Sequence, residues 1–186
     1  FFLLWIALFA TQTSLMTVGK PALHRRLGAL GAALIPVMLF FGTVGALIAA
    51  RRPTGFFDVA DPPLQFLAKP LLDMVVFGVL ALCAIARRGV PQTHKRLMLL
   101  ATIVLLEAVI ARWPIAFVTS GPDVAFMLKM VFIVPLIVWD FRTLGRLHPV
   151  TLCGGLFVIA ALPAYYVISR TEAWLEFARW ATGLLS

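Results

Sequence analysis

Four charged residues stand inside otherwise apolar stretches of this 186-residue chain: Asp73, Glu107, Arg112 and Lys129. Isolated charges in a hydrocarbon setting are costly, so they are expected to face one another or a wet cavity. Two roles suit such a set. The carboxylates can carry protons or coordinate a substrate cation in a transport path, or the charges can be ion pairs that pin helices together. Asp73 and Arg112 are expected at similar depth and Lys129 slightly shallower, which permits a neutral cluster with Asp73 and Glu107 opposite Arg112 and Lys129. Glu107 is expected to lie deepest, and Arg112 is not at the favourable i+3 or i+4 spacing from it. Lys69 and Lys129 also have the reach to snorkel toward a polar surface.

The second set is the three histidines. They occur as Leu23-His24-Arg25-Arg26-Leu27-Gly28, as Thr93-His94-Lys95-Arg96-Leu97-Met98 and, more loosely, as Gly145-Arg146-Leu147-His148-Pro149-Val150. The first two share His-basic-basic-Leu, and each histidine is expected just before an even-numbered span, at one membrane edge. Matching landmarks at matching helix ends suggest a hairpin repeat, degenerate because the spacings between the histidines differ. Helix-start N–H groups beside Arg25, Arg26, Lys95 and Arg96 would seat an anionic lipid headgroup through its phosphate. Alternatively, neutral imidazoles of His24, His94 and His148 would ligate haem iron or another metal, although cations beside them oppose a cationic metal.

The elements that must position these residues follow from composition. The chain is 62% hydrophobic and 13% charged, with a mean hydropathy of +1.00, far more apolar than an ordinary soluble domain. The sequence predicts an all-α, polytopic transmembrane helical bundle of about six spans built from three helical hairpins, at about 1–18, 27–50, 64–86, 97–118, 124–140 and 150–168. Glycines 28, 31, 42 and 45 supply small-residue faces for close helix approach. Pro36, Pro114, Pro135 and Pro163 predict kinks. Residues 171–186 read as a short interfacial amphipathic helix, with Trp174, Phe177, Ala178, Ala181 and Leu185 at helical spacing. Cys83 and Cys153 lie in apolar runs and act as small hydrophobes rather than a disulfide. The apolar start Phe1–Val18 reads as a retained span, with an upstream portion expected.

A net charge of +8 would suggest nucleic acid in a soluble protein, but the basic residues here lie in short clusters between apolar runs. No nucleic-acid partner is expected. The connectors after spans 1, 3 and 5 hold nine basic residues: Lys20, Arg25, Arg26, Arg87, Arg88, Lys95, Arg96, Arg142 and Arg146. The opposite side holds four: Arg51, Arg52, Arg170 and Arg179. The positive-inside rule then makes the histidine-bearing connectors cytoplasmic.

The histidine motifs, together with Arg146-Leu147-His148-Pro149, resemble a group of uncharacterised bacterial integral-membrane proteins of about this size. That resemblance implies a multi-pass protein of the bacterial inner membrane with further His-containing sequence upstream, and it supplies no activity. A more distant likeness to small membrane b-type cytochromes and haem-handling proteins implies haem b. The sequence departs from those proteins because its histidines lie at one edge rather than stacked in pairs within spans.

No catalytic signature of soluble enzymes is present, whether Gly-x-Ser-x-Gly, His-Glu-x-x-His, a P-loop or a dinucleotide fingerprint. Three functions remain: an accessory or assembly subunit associated with other membrane subunits, a secondary transporter or proton/ion pathway using Glu107 and Asp73, and a haem- or quinone-binding redox protein. Short loops and a neutral set of intramembrane charges favour the first.

Overall fold

The computed structural model describes residues 1–56, 59, 61–113 and 122–184, and all regular structure among them is α-helical. The helices are α1 (Phe2–Thr17), α2 (Pro21–Arg51), α3 (Pro63–Phe66), α4 (Ala68–Ala86), α5 (Pro91–Ile110), α6 (Pro122–Val131), α7 (Val134–Leu144), α8 (Pro149–Ile168) and α9 (Glu172–Gly183). Four helical stretches are long and apolar enough to cross a bilayer: Pro21–Arg51, Pro63–Ala86, Asp123–Leu144 and Pro149–Ile168. They fit a multi-pass membrane protein. α1 is apolar but has 16 residues, about 24 Å of helix. α5 has 20 residues and carries Lys95, Arg96 and Glu107.

The starts of α2 and α5 correct the expected spans. Both begin at a proline, Pro21 and Pro91. Proline at the first helical position has no N–H to leave unsatisfied, and its φ already suits the helix. The motifs at His24 and His94 therefore lie within the first turns of their helices, and only His148 immediately precedes one, as the N-cap of α8. α5 stops at Ile110, so Glu107 sits in its last turn rather than at the centre of a span. The expected end of that span, the kink at Pro114 and most of the following turn fall at 114–121, outside the described residues, as does Leu185.

The fifth expected span is two helices. Pro135 cannot donate to the Val131 carbonyl four residues earlier. Tighter bonds bridge the gap, from Phe132 N to Lys129 O (3.1 Å) and from Ile133 N to Met130 O (2.9 Å). Pro36 and Pro163, by contrast, lie inside helices that continue through them. α7 ends at Gly145, whose φ of 66° is the left-handed conformation that glycine adopts without a Cβ penalty.

Two compact units are present, Phe1–Phe41 and Gly42–Ser186. The first is a helical hairpin turned at Gly19, closed by a stack of Phe1 on Phe41 with ring centroids 4.7 Å apart. The second is centred on α4, α5 and α8, which pack against one another. Phe77, Leu80 and Ala81 of α4, Leu100 and Val104 of α5 and Val158 of α8 are buried. Gly154 lets α8 approach α5 closely, since a Cβ there would stand 2.6 Å from Leu100 Cδ1.

α9 has three faces, as its 3.6-residue period shows. Ala178, Ala181 and Thr182 are buried, with Ala178 packed in a cluster with Ala46, Ala50 and Leu67. Glu172, Glu176 and Arg179 form a charged face, while Phe177, Trp180 and Leu184 form an exposed apolar one. Thr171 caps the helix by accepting from Trp174 N, and Trp174 Nε1 donates to the Leu64 carbonyl at 2.9 Å. Cys83 and Cys153 are free thiols.

Gly154→Val should lower the thermal midpoint in detergent by the equivalent of about 1–3 kcal/mol through overpacking against Leu100. Gly155→Ala, whose added Cβ meets nothing within 4 Å, should raise stability by about 0.5–1 kcal/mol through the helix preference of alanine over glycine.

Candidate functional site

The helix turn that places residues i and i+4 on one face brings Lys69 onto Asp73 in α4, with Lys69 Nζ 2.8 Å from Asp73 Oδ2. Packing of α4 on α5 carries the same ammonium to Glu107, 2.5 Å from Oε1. Glu107 Oε2 in turn accepts from Lys129 Nζ on α6. Lys129 Nζ closes the circuit 3.9 Å from Asp73 Oδ1. The four side chains thus alternate in sign around a ring contributed by three helices: Lys69, Glu107, Lys129 and Asp73. Lys69, Glu107 and Lys129 are 3%, 5% and 0% exposed. Lys129 also lies 4.7 Å from the centroid of the Phe126 ring, an added cation–π attraction. One vertex is incomplete, because Asp73 Oδ1 is buried without a hydrogen-bond partner.

Asp73, Glu107 and Lys129 therefore come together, and Arg112 does not join them. Arg112 is exposed just past the end of α5, where its guanidinium donates to the carbonyl of Ala108 in its own helix. Because α5 ends at Ile110, Arg112 falls beyond the helix that carries Glu107, and the expected pairing with Asp73 is corrected. Lys69 takes its place. The i+4 spacing to Asp73 was the available sequence signal, and the length that would let Lys69 snorkel outward instead lets it bridge two carboxylates.

A second buried network stands at the other end of α5. Arg96 is fully buried, which corrects its expected role at a lipid-facing rim. Its Nε donates to Asp140 Oδ1 on α7 at 3.0 Å, and Nη2 donates to the same oxygen. Nη1 donates to the backbone and side-chain oxygens of Gln92, both at 2.8 Å. Asp140 Oδ2 accepts from His148 N at 3.0 Å. One ion pair thereby ties α5 to α7 and to the start of α8. The carboxylate facing a basic helix start across the bundle was the signal that sequence reasoning missed, because Asp140 lies at the margin of its apolar run.

The histidines work as fasteners. His94 Nδ1–H donates to the Ala84 carbonyl of the preceding helix at 2.8 Å, and His24 Nδ1–H donates to the Gln12 carbonyl at 3.3 Å. A carbonyl only accepts, so the ring proton of each sits on Nδ1. The two repeated motifs thus make the same hairpin clamp. His148 is opposite: its Nδ1 accepts from Val150 N at 3.1 Å, capping α8, so its proton resides on Nε2. Its different role explains why the third motif departs from the other two. Arg25 and Arg26 are exposed, and exposed Lys95 lies 5.7 Å from the Trp139 ring centroid. Among the described residues, no group of three or more His, Cys, Asp or Glu side chains could hold a metal ion.

At the end of the bundle away from His148, Tyr165 donates to Asp61 Oδ2 at 2.5 Å and Tyr166 to Asp123 Oδ1 at 2.6 Å. These tyrosines fasten α8 to the segment before α3 and to the start of α6.

No protein family, curated protein or solved structure matches this chain. The fold and site define its class on physical grounds: an all-α chain with helices of bilayer length, organised around a buried and self-neutralising ion ring.

Lys69→Met leaves Asp73 and Glu107 facing one another, so it should cost about 3–5 kcal/mol in detergent unfolding. Arg112→Ala, exposed and outside the ring, should cost less than about 0.5 kcal/mol. Burial, then the positive charge of Arg96, lowers the pKa of His148 from its ordinary 6.5. The unfolded chain accordingly takes up a proton at a pH where the folded chain does not, and stability falls as pH drops below 6.5. Protonation at Nδ1 also removes the cap acceptor. His148→Asn keeps an acceptor at the N-cap and should flatten this part of the stability profile between pH 7 and 5, measured by thermal unfolding.

Proposed function

We propose that the chain is a six-crossing protein of the bacterial inner membrane that serves as an accessory or assembly subunit of a larger membrane complex. The observation that supports this most is the use made of its buried polar groups. The ion ring joins α4, α5 and α6, Arg96–Asp140 joins α5 and α7, and the tyrosines fasten α8. These groups are engaged in holding helices, and the ring compensates its own charge without a substrate.

In this reading α1, α2, α3–α4, α5, α6–α7 and α8 make the six crossings. The basic connectors, with Arg96 now withdrawn into the interior, still give eight exposed-side cations against four, counted from the same residues, and face the cytoplasm. α9 lies at the opposite interface: its charged face meets water, and Phe177 and Trp180 enter the lipid edge.

A second reading, a proton or ion pathway through Glu107 and Asp73, is favoured by one observation, the unpartnered Asp73 Oδ1. The two separate in one preparation. Extracted from its own membranes in mild detergent, the full chain should migrate in an assembly well above the 20.4 kDa monomer with its micelle. A monodisperse monomer that catalyses ion flux in proteoliposomes, lost in Glu107→Gln, would contradict the subunit reading and favour the pathway.

A further inference from the structure

The ring combines features that a purely mechanical fastener does not require. Its ammonium groups are unequally placed. Lys69 contacts both carboxylates at hydrogen-bonding distance, whereas Lys129 reaches Glu107 closely and Asp73 Oδ1 only at 3.9 Å. Asp73 Oδ1 consequently has no hydrogen-bond donor although it is buried. The ammonium 3.9 Å from it sits on the least continuous helix of the bundle. Lys129 is two residues from the end of α6, and the break to α7 follows at once, fixed by Pro135. Discontinuous helices at membrane depth, with charged groups beside the break, characterise ion sites in membrane proteins.

We infer that Asp73 is a proton-binding site of the membrane interior, with Oδ1 as the atom that takes up and releases the proton and the α6–α7 break as the joint that lets Lys129 follow. This rests on the membrane-spanning reading and is independent of the subunit role. The charged groups facing Asp73 are Lys69 on its own helix, Glu107 on α5 and Lys129 on α6. α2 approaches Asp73's neighbour Met74 through uncharged Gly42, and α8 meets α4 through Gly154 beside Leu80.

In the step, one proton from water binds the Asp73 carboxylate at Oδ1, converting it to a carboxylic acid, and the ring passes from neutral to a single positive charge. Oδ2 continues to accept from Lys69. The attraction between Asp73 and Lys129 is lost, and Lys129 remains held by Glu107 alone. Release of the proton to water restores the neutral ring.

Infrared difference spectroscopy on the full chain in phosphatidylcholine vesicles, with pH stepped from alkaline to acid, tests the site. The expected result is a carboxylic-acid carbonyl signal that grows on acidification and contains, beside the bands of exposed carboxyls such as Glu172 and Glu176, one component that is missing from Asp73→Asn and persists at a shifted frequency in Glu107→Gln. Circular dichroism establishes whether Asp73→Asn keeps its helices. If it does not, Asp73→Glu decides, because it retains a carboxyl whose band should return at a new frequency. A native signal from which Asp73→Asn removes no component overturns the inference, as does a signal unchanged in Asp73→Glu. The readout detects no partner chain, so its failure leaves the subunit reading standing, and the size of the extracted assembly leaves this inference standing.

Discussion

Four charges inside an apolar bundle can persist only if each finds its opposite within hydrogen-bonding range, and this constraint organises the larger unit of the protein. Removing an ion from water costs several kcal/mol even after relaxation, and mutual attraction repays that cost only in good geometry. The alternation of Lys69, Glu107, Lys129 and Asp73 meets the requirement for α4, α5 and α6 together. Sliding α6 against α5 would leave Lys129 without Glu107, and sliding α4 against α5 would break the Lys69 contact that joins the two carboxylates. The ring therefore specifies register as well as contact, which apolar surfaces pressed against lipid cannot do alone, because hydrocarbon tails are as apolar as leucine.

The remaining polar contacts extend the same logic to both ends of the bundle. Arg96 and Asp140 fix α7 against α5, and the second oxygen of Asp140 holds the chain at His148 where α8 begins. At the opposite end the Tyr165 hydroxyl reaches Asp61 in the connector before α3, and the Tyr166 hydroxyl reaches Asp123 at the start of α6. Between these layers the packing is small-residue and apolar, with Gly154 admitting Leu100. Polar fasteners toward the two ends, separated by close-packed hydrocarbon, leave every buried charge among the described residues with a named partner helix.

Much of this was legible from the sequence. Mean hydropathy and the spacing of apolar runs gave an all-helical chain with bilayer-length segments, and the presence of charges inside those segments pointed to Asp73, Glu107 and Lys129 as neighbours. What the sequence concealed was where helices begin and end. Pro21 and Pro91 start their helices earlier than the apolar runs do, and α5 stops at Ile110. Those shifts move Glu107 to a helix end and put Arg112 outside, and they leave Lys69 as the bridging cation. Long, flexible lysine side chains carry no sequence mark of whether they snorkel or turn inward. The histidine motifs were recognisable as a repeat, but their purpose depended on which carbonyl lay opposite, and that is decided by hairpin geometry. For the same reason His148, similar in context, became a cap rather than a clamp.

The central claim is that the ring acts as one unit, and a double-mutant cycle on Glu107 and Lys129 tests it most directly. Unfolding free energies in detergent would be compared for the native chain, Glu107→Gln, Lys129→Met and the double variant. Interdependence predicts that the double variant loses clearly less than the sum of the single losses, with an interaction energy of about 1–3 kcal/mol. Additive losses within about 0.5 kcal/mol would show that the two charges do not depend on each other, and would contradict the account.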